Sequence, residues 1–246
     1  MRRAATILMC MMALAFVASG LLFAITPAPA EDLPWQIAQL AEPSANRDGL
    51  AAIFLRPQQP AMWLMLGGLW IALIIFAARR FWPSETRPDL ELADLALLIG
   101  ALAAGSLWPW VAVGAPLVGF LLCVLMLLAL IAAARRINSD GRLGRHPLIG
   151  IFAGWATIVT FAAFGSFLSD VTPIPVELAA LVSAVLTCAA AMATQMRIPS
   201  NPSYTITVMF GLLATAATTI ESHPPIAVIA VLSMAALTFL LVRVTT

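Results

Sequence analysis

Two tryptophans spaced seven residues apart are the feature of the chain that most directly indicates binding chemistry. If their segment is helical, Trp63 and Trp70 share one helix face, two turns apart. Aromatic side chains stack on flat apolar ligands, so this face could line a binding site. It could equally face lipid or pack into the protein core. Four further tryptophans lie near the ends of apolar stretches and fit the aromatic belts of membrane interfaces: Trp35, Trp82, Trp108 and Trp110.

Hydroxyl side chains supply most of the polar groups inside the apolar stretches of the C-terminal half. Such groups hydrogen-bond between helices and let helices approach closely, so helix packing alone can account for any one of them. As a set they predict a more polar interior in this half, where part of a ligand cavity would lie. The hydroxyls are those of Thr157, Thr160, Ser166, Ser183, Thr187, Thr194, Thr205, Thr207, Thr215, Thr218 and Thr219.

Ionisable residues are rare in the apolar stretches, and this limits the chemistry that the chain can perform. Asp94, Glu177 and Glu221 lie near the ends of stretches, where we expect water to reach them. The only histidines, His146 and His223, each precede a proline in a connection. No metal-ligand spacing or serine-nucleophile motif is present. We therefore expect no enzyme, no catalytic or metal-binding residues and no cofactor, with a lipid-modifying membrane enzyme as the weaker alternative.

The arginines predict how the apolar stretches are oriented. All 13 basic residues are arginine, and 11 of them lie at the chain ends or in alternate connections between stretches. Arginine in short loops stays on the cytoplasmic side of a membrane. The two exceptions, Arg47 and Arg56, lie in a connection predicted to be external. The pattern predicts a cytoplasmic C-terminus, and the exclusive use of arginine suggests a GC-rich bacterial genome and hence a bacterial inner membrane.

Composition and stretch length predict the fold class. The chain is 62% hydrophobic and 10% charged, and a spanning helix needs about 20 apolar residues. We predict an all-α polytopic membrane helical bundle with about eight transmembrane helices, in a single domain over 1–246. A net charge of +1 with scattered arginines argues against nucleic acid. The bilayer is the expected partner, and association between copies is left open. The stretches are 5–25, 61–78, 92–110, 115–134, 148–168, 176–196, 204–220 and 225–242.

The first stretch has two interpretations. Arg2, Arg3, an apolar run and Ala28-Pro29-Ala30 resemble a cleavable secretory signal, whose removal would leave seven helices. The run from Ala4 to Ile25 is longer than the roughly 7–15 residues of a signal core, which favours a retained anchor helix.

The rest of the chain divides at proline-rich connections. The acidic, proline-rich segment 26–60 predicts an external loop, with a short interfacial helix near Trp35–Leu40. After a first helix over 4–25, helices two to four occupy 61–134 and helices five to eight occupy 148–244.

Short motifs in three of the stretches carry a family resemblance. The fifth stretch contains Gly154-Trp155-Ala156-Thr157-Ile158-Val159-Thr160. This pattern resembles the corresponding helix in the longer members of the TspO/MBR (tryptophan-rich sensory protein) family. Tyr204 and Phe210 in the seventh stretch, Pro60-Ala61 at the start of the second and Trp108 in the third are similar to the family's pattern.

The resemblance implies a membrane protein that binds a flat apolar ligand in a helical cavity. The family is associated with tetrapyrroles such as porphyrins and haem, with sterol-like ligands, and with sensory, regulatory or transport roles. Met65, Gly68 and Ala163 depart from the family's pattern, and these departures bear on ligand identity. A cavity would lie among stretches two, five and seven, with the candidate binding residues Trp155, Thr157, Thr160, Tyr204, Phe210, Trp63 and Trp70.

A small-molecule transporter or permease subunit is the main alternative. Such proteins often have helices interrupted by glycine or proline near the middle of the membrane. Gly114, Pro116 and Gly165 are the candidate positions.

Overall fold

The computed structural model describes residues 2–26, 50–57, 59–81, 90–139, 147–198 and 201–245. The described residues form helices and contain no strand, which confirms the predicted all-α helical bundle. The helices, numbered in chain order, are α1 (Arg2–Ile25), α2 (Leu50–Leu55), α3 (Pro60–Phe81), α4 (Leu92–Ala112), α5 (Pro116–Ser139), α6 (Pro147–Val171), α7 (Val176–Arg197), α8 (Pro202–Thr219) and α9 (Pro224–Thr245).

Seven of the described helices are long and apolar enough to cross a membrane, so the protein is a multi-pass membrane protein. They are all the long helices except α8, which forms from the predicted stretch 204–220. Helix α8 has 18 residues. At 1.5 Å per residue it is about 27 Å long, slightly less than the roughly 30 Å of a bilayer core. It packs against α6 and α9 within the bundle.

Proline sets the starts of most helices that follow a connection. Helices α3, α5, α6, α8 and α9 each begin at a proline. Proline is favoured in the first turn because the N–H it lacks would have no partner within the helix. The main difference from the predicted bounds is at α5, which continues to Ser139, beyond the predicted end at residue 134.

Contacts between helices show an alternating up-and-down arrangement. The Cys10 thiol near the start of α1 lies 3.7 Å from the carbonyl of Ala77 near the end of α3. In contrast, α1 and α4 run in the same direction, since the Ser19 hydroxyl near the end of α1 donates to the Ser106 carbonyl at 2.6 Å. The alternation gives the bundle two chemically different ends.

We call these two ends the arginine end and the opposite end. Of the described arginines, Arg56 alone lies at the opposite end, after α2. The arginine end carries Arg3, Arg79, Arg80, Arg135, Arg136, Arg197 and Arg243.

Helix α6 is the centre of the bundle. Along the most apolar part of α6, 83% of the residues are buried, whereas at most 44% are buried along the corresponding parts of the other spanning helices. It packs against α2, α5, α7 and α8. A Cβ on Gly154 would lie 2.7 Å from the Tyr204 carbonyl, so glycine is what allows α6 and α8 to approach this closely. The central helix thus presents its side chains to several neighbours at once.

Candidate functional site: an aromatic cavity

An aromatic cavity lies between α1, α2, α3, α4 and α6, toward the opposite end of the bundle. The empty space of the cavity, including the part that is open to the outside of the protein, is about 330 Å³. The part that admits a water-sized molecule is about 20 Å³, room for roughly one water. Its walls are mostly apolar, and the aromatic side chains in them are Phe16, Phe23, Phe54, Trp70, Trp108 and Trp155.

Trp155 on the central helix is held by rings from three sides. Its ring meets Phe16 of α1 edge-on, with centroids 5.5 Å apart and planes at 89°. It meets Trp108 of α4 at 6.1 Å and 76°. Phe152, one turn earlier on α6, stacks on it at 6.0 Å and 29°. Edge-to-face and offset stacking are the favoured aromatic geometries, so these contacts fix the orientation of the indole.

Two residues of α4 shape the wall beside these rings. A Cβ on Gly105 would lie 2.5 Å from a ring carbon of Phe16, so glycine is required for α1 and α4 to pack this closely. Pro109, four residues later and also in the wall, has no N–H to donate to the Gly105 carbonyl. The Gly105 carbonyl therefore lacks its usual helical donor.

Two indole N–H groups at the cavity are buried without a hydrogen-bond partner. Trp108 is 1% exposed and Trp155 is 3% exposed, and Nε1 of each has no acceptor within the part of the chain that the structure describes. An unmade hydrogen bond of this kind costs about 1–3 kcal/mol. The nearby Trp110 differs, since its Nε1 donates to the Ser19 hydroxyl at 2.9 Å. The cavity thus brings together two donors able to bind an acceptor on a ligand.

A cationic side chain lies beside the same cavity. The guanidinium carbon of Arg56 lies 4.8 Å from the ring centroid of Phe23, which lines the cavity. This is a cation–π contact. Nε of Arg56 is buried and has no hydrogen-bond partner among the described residues. Arg56 therefore adds positive charge and a third unpaired donor to this region.

Helix α2 covers one side of the cavity. Phe54 and Leu55 form part of the wall. The backbone N–H of Ala51 donates to the Ser166 hydroxyl of α6 at 3.2 Å. The external connection predicted from the sequence therefore contains a helix that was not predicted, and that helix helps to form the site.

Two of the binding residues predicted from the sequence lie in this cavity. Trp155 and Trp70 both line it. Trp63 contacts Trp70 edge-on at 6.4 Å and 74°, as their shared helix face requires. It is 38% exposed and does not line the cavity.

The other predicted residues lie at helix interfaces or on the surface. The hydroxyls of Thr157 and Tyr204 are 2.9 Å apart and join α6 to α8. Thr160 donates to the carbonyls of Ala156 and Cys123. Phe210 is 38% exposed on α8, and no α8 residue lines the cavity. Residues of stretches two and five line the cavity, as expected. Residues of stretches one and three also line it, whereas residues of stretch seven do not.

The interpretation of Trp108 as an interfacial residue is wrong. Its side chain is buried because the end of α4 packs against α1 and brings the indole onto Trp155 of the central helix. Trp110, 53% exposed, fits the interfacial interpretation better. The sequence analysis also missed Phe16 and Phe23, because the first stretch was considered only as an anchor or signal. The presence of Gly105 four residues before Pro109 was a signal that could have drawn attention to this wall.

The polar groups near the helix ends form two separate contacts. Asp94 was expected to be accessible to water, but it is 5% exposed and its Oδ1 accepts from Arg136 Nε at 2.8 Å. At the opposite end, His223 Nδ1 lies 2.7 Å from a carboxylate oxygen of Glu177. Asp94 and His223 therefore do not share a site. The expectations for His146, Trp82 and Trp35–Leu40 lie outside the described residues, as do those for Ala28-Pro29-Ala30.

The positions considered for interrupted helices do not break the long helices. Gly165 lies within α6, which is continuous from Pro147 to Val171. Gly114 and Pro116 lie where α4 gives way to α5. The interruption near mid-membrane that would favour a transporter is therefore not found at these positions.

Comparison of the chain with protein-family models, with curated proteins and with solved structures finds no match. The resemblance to the TspO/MBR family thus depends on the sequence motifs alone.

Proposed function

We propose that the protein binds a flat, largely apolar small molecule in the aromatic cavity, in a sensory, regulatory or transport role like that of the TspO/MBR family. The observation that carries the proposal is the pair of buried indole N–H groups without acceptors, on Trp108 and Trp155. Both rings line the same cavity. Because buried donors are nearly always satisfied in native proteins, an unsatisfied pair at one cavity favours a ligand that supplies the acceptor.

The shape and chemistry of the cavity favour a planar ligand. Its apolar aromatic walls suit stacking, and the few polar groups suit orientation of the ligand, which is the usual division of roles in a small-molecule pocket. The enclosed part of the cavity, about 20 Å³, is much smaller than the roughly 300–1,000 Å³ of such pockets. Binding of a few fused rings therefore requires α2 to move outward. A tetrapyrrole, the class that the resemblance favours, requires a larger movement.

Tryptophan fluorescence tests this proposal. The full-length protein in lipid nanodiscs is titrated with a porphyrin and with the smaller, uncharged methyl ester of 1-pyrenebutyrate. We expect quenching of tryptophan emission that saturates, and affinity about fivefold weaker in Trp155→Phe, which keeps an aromatic ring but loses one hydrogen bond of about 1 kcal/mol. Trp110→Phe is the matched control, because that N–H is already bonded to Ser19. Emission that does not change with either ligand, or a Trp155→Phe variant that binds like the parent, contradicts the proposal.

We propose further that the membrane is a bacterial inner membrane and that the arginine end is cytoplasmic. The asymmetry of the arginines supports this orientation. Green fluorescent protein fused after Thr246 should fluoresce in intact cells, whereas alkaline phosphatase fused there should be inactive. The reverse pair of results contradicts the orientation.

A further inference from the structure

We propose that the ligand is a planar aromatic carboxylate and that Arg56 binds its carboxylate at the edge of the cavity. This inference rests on the proposed binding function and adds the polar chemistry of the ligand to it.

The location of Arg56 is the first argument. Every other described arginine lies at the arginine end of the bundle, and Arg56 lies at the end where arginine is otherwise absent from the described residues. The charge rule that orients membrane helices disfavours arginine in such a connection. Binding of an anionic ligand accounts for an arginine at this position.

The surroundings of Arg56 are the second argument. Its guanidinium lies over Phe23, an aromatic ring of the cavity wall, at 4.8 Å. Its Nε is buried without an acceptor. The described acids at this end of the bundle are Asp170, Glu177 and Glu221. Glu177 is paired with His223 at 2.7 Å, and none of the three forms an ion pair with Arg56. A guanidinium presents its donors in a planar fork that matches a carboxylate with two parallel hydrogen bonds.

The balance of polar groups at the cavity is the third argument. Two donors of lining residues, Trp108 Nε1 and Trp155 Nε1, have no acceptor among the described residues, and neither has Arg56 Nε, which lies beside the lining residue Phe23. None of the described residues that line the cavity is acidic. Unpaired donors next to a positive charge favour an anion with hydrogen-bond acceptors over a cation or a hydrocarbon. The planar shape is favoured by the walls, because six aromatic side chains line the cavity and aromatic rings stack on flat ligands.

A matched pair of probes separates the carboxylate from the ring system. The full-length protein in nanodiscs is titrated with 1-pyrenebutyrate and with its methyl ester, with energy transfer from tryptophan to pyrene as the signal. The ratio of the two dissociation constants is measured for the parent and for Arg56→Gln. Each probe partitions into lipid equally in the parent and variant samples, so partitioning cancels when the two ratios are compared. Arg243→Gln is the control, since Arg243 is an exposed arginine at the arginine end.

We expect the preference for the acid over the ester to fall about tenfold or more in Arg56→Gln, as for loss of a charge-assisted hydrogen bond. The affinity for the ester should stay within about twofold of the parent, because the ring system is bound elsewhere. Arg56→Lys should keep part of the preference through its charge, and Arg243→Gln should match the parent.

The other outcomes distinguish this inference from the proposed function. An unchanged acid-to-ester preference in Arg56→Gln overturns the carboxylate assignment and leaves the cavity proposal standing. Failure of both probes to bind the parent ends both. Displacement of the pyrene acid by laurate as effectively as by an unlabelled planar acid overturns the planar assignment in favour of a fatty acid. If Arg56→Gln binds neither probe, Arg56→Lys provides the test in its place. Binding of the acid by Arg56→Lys supports the inference, and failure of Arg56→Lys to bind the acid overturns it.

Discussion

Helix α6 contributes to two buried regions, and the polar groups are hydrogen-bonded in one of them and unpaired in the other. Where α6 packs on α8, the hydroxyls of Thr157 and Tyr204 are 2.9 Å apart, and Thr157 also donates to the Ala153 carbonyl. At the cavity, on the same helix, the N–H of Trp155 has no acceptor, and neither has that of Trp108. Because both regions are buried, the difference lies in hydrogen bonding and not in solvent access. Buried polar groups that are satisfied hold helices together, and under our proposal those that are not satisfied mark the cavity where a ligand binds.

The hydroxyl-rich C-terminal half illustrates the first kind of region. Ser183, Thr187, Thr215 and Thr219 each donate to a carbonyl four residues earlier in their own helix. Such bonds satisfy the hydroxyl locally and leave it with little to offer a ligand. The polar content of a helix is therefore a poor guide to a site, and the state of its hydrogen bonds is a better one.

The largest expected effect comes from filling the cavity wall. Gly105→Ala places a methyl group 2.5 Å from the Phe16 ring, which must move. Overpacking of this kind costs about 1–3 kcal/mol, and we expect porphyrin or pyrene-ester affinity to fall about tenfold. Gly100→Ala, on the same helix with nothing within 4 Å of the added carbon, is the control. Equal affinities in the two variants, measured by fluorescence titration, would show that this wall is not part of a binding site.

Removal of one unpaired donor should have a smaller effect on binding. Trp108→Phe keeps a ring against Trp155 but deletes an N–H that a ligand would use. We expect about fivefold weaker binding, as for one hydrogen bond of about 1 kcal/mol. Trp110→Phe, whose N–H is bonded to Ser19, should bind like the parent. If the Trp110 variant is affected as strongly as the Trp108 variant, the distinction between paired and unpaired donors has no functional meaning.

At the α6–α8 interface the expected effect is on stability, not on binding. Tyr204→Phe deletes the hydroxyl that pairs with Thr157. Hydrogen bonds between membrane helices contribute about 0.6 kcal/mol on average and at most about 1.7 kcal/mol, so we expect unfolding in SDS to become easier by this amount. Ligand affinity should stay within about twofold of the parent. A variant of parental stability that loses ligand binding would move the site to this interface.

The smallest effect is expected at a hydroxyl bonded within its own helix. Thr187→Val deletes a donor that bonds the Ser183 carbonyl at 2.7 Å. The carbonyl keeps its backbone partner, and we expect the free energy of unfolding to change by less than about 0.5 kcal/mol. SDS titration beside Tyr204→Phe provides the comparison. A loss at Thr187 larger than the loss at Tyr204 would reverse the order that the hydrogen bonds predict.

The parts of the fold that depend on composition could be predicted from the sequence. Stretches of about 20 apolar residues must be helical in a bilayer because every backbone polar group needs a partner there. The short helix α2, of six residues, carries no such length signal. The rotation of each helix about its axis is also not fixed by composition, since all faces of these helices are apolar. Trp108 was therefore assigned to the interface although its ring is buried at the cavity.

The candidate site could also be predicted only in part, because its residues come together only through the packing of the helices. Trp155 and Trp70 were found because aromatic residues within apolar stretches are candidates for stacking. Phe16 and Phe54 are ordinary apolar residues in the sequence and become significant only once five helices meet. Whether a given N–H finds an acceptor depends on distances between helices, which no residue pattern specifies. The unusual position of Arg56 was visible in the arginine pattern, but the sequence analysis did not identify Arg56 as a site residue.

The most direct test is to observe the two indole N–H groups themselves. Protein labelled with ¹⁵N-tryptophan in nanodiscs is titrated with anthraquinone-2-carboxylate, a planar acid whose ring carbonyls can accept hydrogen bonds from the indoles. The indole signals are assigned with the single Trp-to-Phe variants. We predict that the ¹⁵N and ¹H signals of Trp108 and Trp155 move downfield as hydrogen bonds form, while that of Trp110, already bonded to Ser19, stays in place. Saturable binding that leaves the Trp108 and Trp155 signals unmoved would contradict the account.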